Sequence, residues 1–475
     1  MEKNKRKHLL DYIMLPVLVI VLVTFISACD EETGAGVDIP EGAITVPDDY
    51  SNIQEAIDVA EDGDVIVVSP GTYTENINFE GKDITVRSTD PEDPEIVADT
   101  IIDGGGSDSV VTFENEEGED AKLSGLTITG GGGTNMALEF EIEGEVREEA
   151  ADYGGGILII NGSAPTISEN VIVNNIAERA GGIMVHRSSP FLRDNIVREN
   201  VSDGGGGGLF IADSSATVRG NEITENTAGR SGGAIAVSRD ADTMSVFENN
   251  TISNNRAENG AAFSLYEANP SIFNNTIINN NAESHGGGFY LFNSSPEISD
   301  NDVSDNYAGQ TGGGMALFIG SSPAVENNIL IGNEAEAGGG IAINVDSSPE
   351  IKANTVSDNR ARNGGGLSIS QGGNPEVSNN TITDNYVERN GAGIFIQEAN
   401  PAFDGNTISD NESRRDGGGI FAIFESNVTV TNNVFENNRA RAGGAMHFSE
   451  GAVLELSDPD DNTYEGNAPD DIYEE

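Results

Sequence analysis

The 475 residues could fill two or three ordinary domains. However, 59 glycines, no tryptophan and abundant Asn, Ser and Asp suit many short strands joined by tight turns, and so an all-β chain. With 24 Lys plus Arg against 80 Asp plus Glu, the formal charge of -56 repels phosphate backbones and anionic headgroups, which argues against nucleic acid as a partner.

Residues 1–28 read as an address. MEKNKRKH supplies a positive n-region, and LPVLVIVLVTFISA is an apolar run of 14, long enough for a signal segment and short for a membrane span. Ile26-Ser27-Ala28-Cys29 resembles the bacterial lipobox, which implies acylation of Cys29, the chain's single cysteine. Several acyl chains on one residue would anchor stably, each buried methylene contributing roughly 0.8 kcal/mol. The expectation is a lipoprotein on an extracytoplasmic membrane face of a bacterial envelope. Residues 29–42, DEETGAGVDIPEG after the cysteine, read as a flexible acidic tether. Its acidic start resembles a surface-export signal, while an Asp at that place also fits retention at the inner membrane.

Residues 43–130 begin the ordered chain. Ser51 is placed to cap a helix on which Ile53, Ala56, Ile57 and Ala60 share one face, with Gly63 ending it. Val65–Val68 and Ile84–Val86 read as the first strands, and LSGLTITGG (123–131) continues them. Residues 131–153 interrupt the pattern with the acidic segment TNMALEFEIEGEVREEAADY, read as a solvated loop, with a lid over one sheet as the alternative.

From 154 to 467 the chain repeats itself. Glycine clusters precede an apolar anchor at Ile157, Ile183, Leu209, Ile235, Phe263, Phe289, Met315, Ile341, Leu367, Ile394, Ile420 and Met446; nine of these eleven steps are 26 residues. The residue two beyond each anchor is apolar as well, as a strand with one buried face requires. Each repeat carries two asparagines five apart, among them Asn170 and Asn175, Asn354 and Asn359, and Asn380 and Asn385. Asparagine tolerates the left-handed region and its amide both gives and accepts hydrogen bonds, so two stacked ladders at the turns are expected. A fixed period of this size marks a solenoid, because no block can bury its own apolar face alone. The repeats resemble the right-handed parallel β-helix, or pectate-lyase-like, superfamily, and Ile44 to Ser88 resembles its N-terminal cap. The resemblance implies about fifteen coils, a rod of roughly 70 Å at 4.8 Å per strand. Residues 468–475 read as an acidic tail.

Many members of that superfamily act on acidic polysaccharides, but their catalytic motifs do not appear here. GTYTEN at Gly71 resembles a scaffold element of pectin methylesterases. The NTD and GDD aspartates of polygalacturonases, the WxDH of pectate lyases and the DPHD of epimerases have no counterpart, and SHGG at Ser284 is a faint echo of a hydrolase GHG. His186, His285 and His447 fall in different coils and read as surface residues. Only six lysines occur, at 3, 5, 7, 82, 122 and 352, and such lysine-poor acidity resembles proteins of high-salt habitats. Calcium binding stays open as an alternative, although no stretch matches a DxDxDG loop; no cofactor is expected otherwise.

The anchor and its second neighbour point inward, so the first and third neighbours point outward. Tyr266, Tyr290, Phe292 and Phe318 occupy outward places in three successive coils, as do Phe395 and Phe421 further on. Exposed aromatics at β spacing can stack on sugar rings, contact a protein, or lie under a covering loop. GGAI at Gly232 and FENN at Phe435 resemble repeats of polymorphic outer membrane proteins, which implies adhesion. The sequence thus points to a monomeric, lipid-anchored β-helix that binds a polysaccharide or a surface protein, with a polysaccharide lyase or glycoside hydrolase on acidic glycans as the alternative.

Overall fold

The computed structural model describes residues 39–142, 145–239, 244–456 and 461–474. Three long parallel sheets of 16, 15 and 15 strands run side by side, each strand pairing with its equivalent one repeat away. Ile157–Ile160 pairs in register with Ile183–His186, which pairs with Leu209–Ala212, and so on to Ile420–Ile423 and Met446–Phe448. This is a parallel β-helix with anchors and second neighbours inside: Phe263, Leu265, Phe289, Leu291, Met315 and Leu317 are fully buried in one continuous core. Two shorter ladders of six and three strands add a narrow fourth side after the second asparagine.

Helix α1 (Ile53–Val59) covers the first coil, with Ile53, Ala56 and Ile57 buried. Its cap is Asn52, not Ser51: the Asn52 side chain accepts from Glu55 N at 2.8 Å, while the Ser51 hydroxyl donates to the Glu55 carboxylate. The helix also stops at Ala60 rather than Gly63, which lies in the next turn with φ +90°. Glu75, from the GTYTEN element, accepts from the backbone of Ile53 and Gln54, so that motif belongs to the scaffold. The solenoid starts one strand earlier than expected, at Ile44–Val46, and continues into the expected tail, where Ile472–Glu474 pairs with Met446–Phe448.

Both asparagine ladders are continuous and buried. Asn306 Nδ2 donates to the Ile277 carbonyl at 2.8 Å and to Asn333 Oδ1 at 3.1 Å, while its own Oδ1 accepts from Asn280 N and Nδ2, both at 3.0 Å. The left-handed residue is the one before each asparagine, not the asparagine itself: φ is 57° at Asn279, 52° at Asp305 and 69° at Gly332. That bend turns each amide inward, where it meets the coils on either side.

The glycine triplets serve a different corner by two means. Gly338 takes φ +64°, whereas a Cβ on Gly339 would lie 2.6 Å from the Gly365 carbonyl oxygen of the next coil. Glycine meets both demands in succession in nine of the twelve repeats, while alanine takes the close-approach place at Ala261 and Ala392 and the left-handed place at Ala180, φ +56°.

Candidate functional site

The segment expected as a solvated loop is an antiparallel hairpin. Thr134–Ile142 pairs with Glu145–Tyr153 from Thr134↔Tyr153 to Ile142↔Glu145. One face of it is apolar: Leu138, Phe140, Ala151 and Tyr153 are buried against Leu158, Ile160, Met184 and Phe210, outward residues of three successive anchor strands. The hairpin is therefore the lid of the alternative reading. The alternation of Met136, Leu138 and Phe140 with charged and small residues carried this signal, since period two over a polar background marks a half-buried strand.

Beyond the hairpin the outer face lies open, and the aromatic candidates begin there. Tyr266 is 37% exposed, and Tyr290, Phe292 and Phe318 are half-buried. Tyr266 stacks on Phe292 with ring centres 5.1 Å apart and planes 9° apart; Tyr290 sits 5.6 Å from Phe318, and His285 packs edge-on against Phe318 at 4.9 Å. Stacking along the row uses the ring faces within it. Tyr266 ends the row, because its other neighbour in register is Ser238, so its second face is turned toward a cavity. Phe395 and Phe421 form a separate column. Phe421 is only 4% exposed, stacked between Phe395 and His447, which corrects its reading as an outward platform.

The cavity at the hairpin edge, about 360 Å³, is lined by Phe140, Phe210, Tyr266 and Tyr290 together with Arg179, Arg230, Arg239 and Glu149. Sequence spacing did not bring these arginines together, because no two share a repeat position: Arg179 and Arg230 lie four and five residues before their anchors and Arg239 four after. Arg239 lies 5.1 Å above the Phe140 ring and Arg179 lies 5.9 Å from Phe210, while Arg179 also pairs with Glu149. A guanidinium stays protonated and donates only, so this cluster suits holding an anion rather than moving a proton. A second hollow, about 470 Å³, carries mixed charge between Tyr307 and Tyr386, with Glu334, Glu336 and Glu388 against Arg360 and Arg362.

The histidines are not the surface residues they were expected to be. His186 is buried under the hairpin, its Nε2 3.0 Å from the Glu139 carbonyl, and His447 is buried between Phe421 and Tyr473. His285 is half-buried with Nδ1 2.8 Å from Thr311 Oγ1, and burial lowers its pKa below the usual imidazole value. Burial chiefly, with the Glu258 charge, raises that of Tyr290. At neutral pH the pair is thus a neutral imidazole beside a protonated phenol.

Tyr153 anchors the hairpin base, its hydroxyl donating to the Glu149 carbonyl at 3.0 Å, and burial pushes its pKa up to about 12. A phenol whose folded pKa lies above the unfolded one contributes stability below pH 10, lost as pH rises toward about 12. Burial likewise pushes Tyr464 up to about 12, so ultraviolet titration of tyrosinate should find two groups ionising late, and Tyr153→Phe should remove one of them; two late groups in the variant would refute the assignment.

No group of three or more His, Cys, Asp or Glu fit to hold a metal occurs among the described residues, and no described helix is long and apolar enough to cross a membrane. Cys29 and most of the expected tether lie outside the described residues.

The family model described as Right handed beta helix region matches residues 95–243, 196–351 and 335–468. Among solved structures, the chain is similar to the catalytic unit of a thermostable alpha-1,3-glucanase from Streptomyces thermodiastaticus, at 12% identity over 93% of this chain and 71% of that one, with a TM-score of 0.35. It is also similar to a mannuronic acid specific polysaccharide family 6 lyase from human gut microbiota, at 12% identity over 84% and 87% of the two chains, with a TM-score of 0.32. No curated protein matches.

Proposed function

The chain belongs to the right-handed β-helix family, and from that premise we propose that it is a cell-envelope binding protein that takes a glycan on the outer face of its anchor sheet. The observation that carries this reading is the end of the aromatic row: one face of Tyr266, backed by Phe292, borders a cavity walled by the hairpin. An aromatic face held rigid by a stacked partner is what the apolar side of a sugar ring needs. Glu149, the sole carboxylate among the residues that line the cavity, is paired with Arg179, so no free carboxylate is offered there.

Tyr266→Ala and Phe292→Ala should each weaken retention on the preferred polysaccharide by about tenfold, with no change in product, because none forms. Release of unsaturated or reducing ends would instead favour a lyase or hydrolase. That second reading has its own support in neutral His285 beside protonated Tyr290, of which Tyr290 lines the cavity of the arginines. Acylation of Cys29 supplies the anchor in this proposal. Cys29→Ser should shift the chain from membrane to soluble fractions and abolish labelling by a fatty-acid analogue; continued labelling would overturn it.

A further inference from the structure

The 24 Lys plus Arg include six lysines, leaving 18 arginines in the whole chain. Three of those 18 meet at the hairpin-edge cavity, in a protein whose formal charge is -56. Their surroundings are unusual in a second respect. Arg239 and Arg179 are positioned by aromatic faces, Phe140 and Phe210, which hold a guanidinium plane without consuming its N–H donors. Arg239 Nε is buried and finds no acceptor among the described residues, and Ser238 Oγ, on a side chain more than nine-tenths buried, is likewise without a partner. Arg230 is exposed and makes no ion pair among the described residues. Three guanidiniums thus face a single carboxylate, Glu149, already engaged by Arg179. Buried donors without acceptors are costly to leave so, and a bound anion supplies the acceptors.

We infer that this cavity is an anion subsite, in which Arg179, Arg230 and Arg239 hold a carboxylate or sulfate group borne by the sugar that stacks on Tyr266. The inference rests on the glycan reading for the source of the anion, and on the arginine geometry alone for the anion itself. Planar guanidiniums grip such groups through two parallel hydrogen bonds, and aromatic packing pre-orients them. The long-range field of the acidic chain opposes an anionic ligand but is screened within about 10 Å in ordinary salt, whereas the cavity acts at contact.

Calorimetric titration of the full chain would use an oligogalacturonate, an oligomannuronate, their carboxyl-reduced forms and sodium sulfate. The expected result is that an acidic oligomer binds at least about tenfold tighter than its reduced form, and that Arg230→Met removes that advantage while leaving the reduced oligomer unaffected. Arg230 is exposed, so this variant keeps the fold; Arg239→Met, which also loosens the hairpin, should cost more. Equal binding of acidic and reduced forms, or an unchanged Arg230→Met, would overturn the anion subsite and leave the sugar platform standing. Sulfate bound by the natural chain but not by Arg230→Met, with no oligomer retained, would keep the anion subsite and overturn the glycan reading. Absence of all binding would overturn both.

Discussion

Gly339→Ala is expected to strain and loosen the solenoid at its middle. The added Cβ would sit 2.6 Å from the Gly365 carbonyl oxygen and 2.7 Å and 2.9 Å from the Arg360 carbonyl oxygen and amide nitrogen. All three are backbone atoms of the next coil, so no side chain can rotate away. The two backbones must shift apart locally instead, which strains the hydrogen bonds Gly339 N to Gly364 O and Gly340 N to Gly365 O. Ala261 and Ala392 fill the same place in their own coils, so the backbone there can give way, and the loss should be about 2–3 kcal/mol. Because each coil touches only its neighbours, the damage should be local, with hydrogen exchange accelerating in the coils around residue 339 before distant ones. Gly320→Ala is the control. That glycine has open space around it and φ +67°, so alanine there meets only the left-handed penalty of about 1 kcal/mol. Equal effects from the two substitutions would refute the close-approach argument.

Asn306→Ala should cost about 4 kcal/mol by a different route. The side chain accepts from Asn280 N and Nδ2 and donates to Ile277 O and Asn333 Oδ1, and the residue is 1% exposed. Truncation leaves groups of both neighbouring coils unpaired where water has no access, and it breaks a chain of amides that polarise one another. Asn306→Asp keeps the acceptor and loses both donors, while putting a charge beside the Asn333 oxygen. The aspartate variant should therefore be the less stable at neutral pH and regain stability on acidification, as the carboxyl protonates. Chemical denaturation across pH would test this; an aspartate variant insensitive to pH would mean that the ladder amide is reached by solvent.

The hairpin shows where repeat logic stops being sufficient. Parity along the anchor strands assigned Tyr266, Phe292 and Phe421 to the outer face in the same way, yet Tyr266 is exposed and Phe421 is not. Parity says which side a residue faces, and burial depends on what comes to lie over that side. For Leu158, Met184 and Phe210 the cover is the hairpin, whose own alternation of Leu138 and Phe140 was readable but whose landing place was not. His186 and His447 were misjudged for the same reason.

What the sequence by itself determined is everything that depends on one coil matching the next: the 26-residue period, the inward anchors, the glycine corner and the two asparagine ladders. These features repeat because stacking imposes the same contact at every step, so the pattern is written many times over. The tertiary structure alone decided what occurs once. Arg179, Arg230 and Arg239 stand at unlike positions in their repeats, and Phe140 comes from an insertion outside them; only the fixed stacking of the coils and the docking of the hairpin bring the four to one cavity. A contact between non-equivalent positions leaves no period behind it, which is why the scaffold was legible in the residues and the candidate site was not.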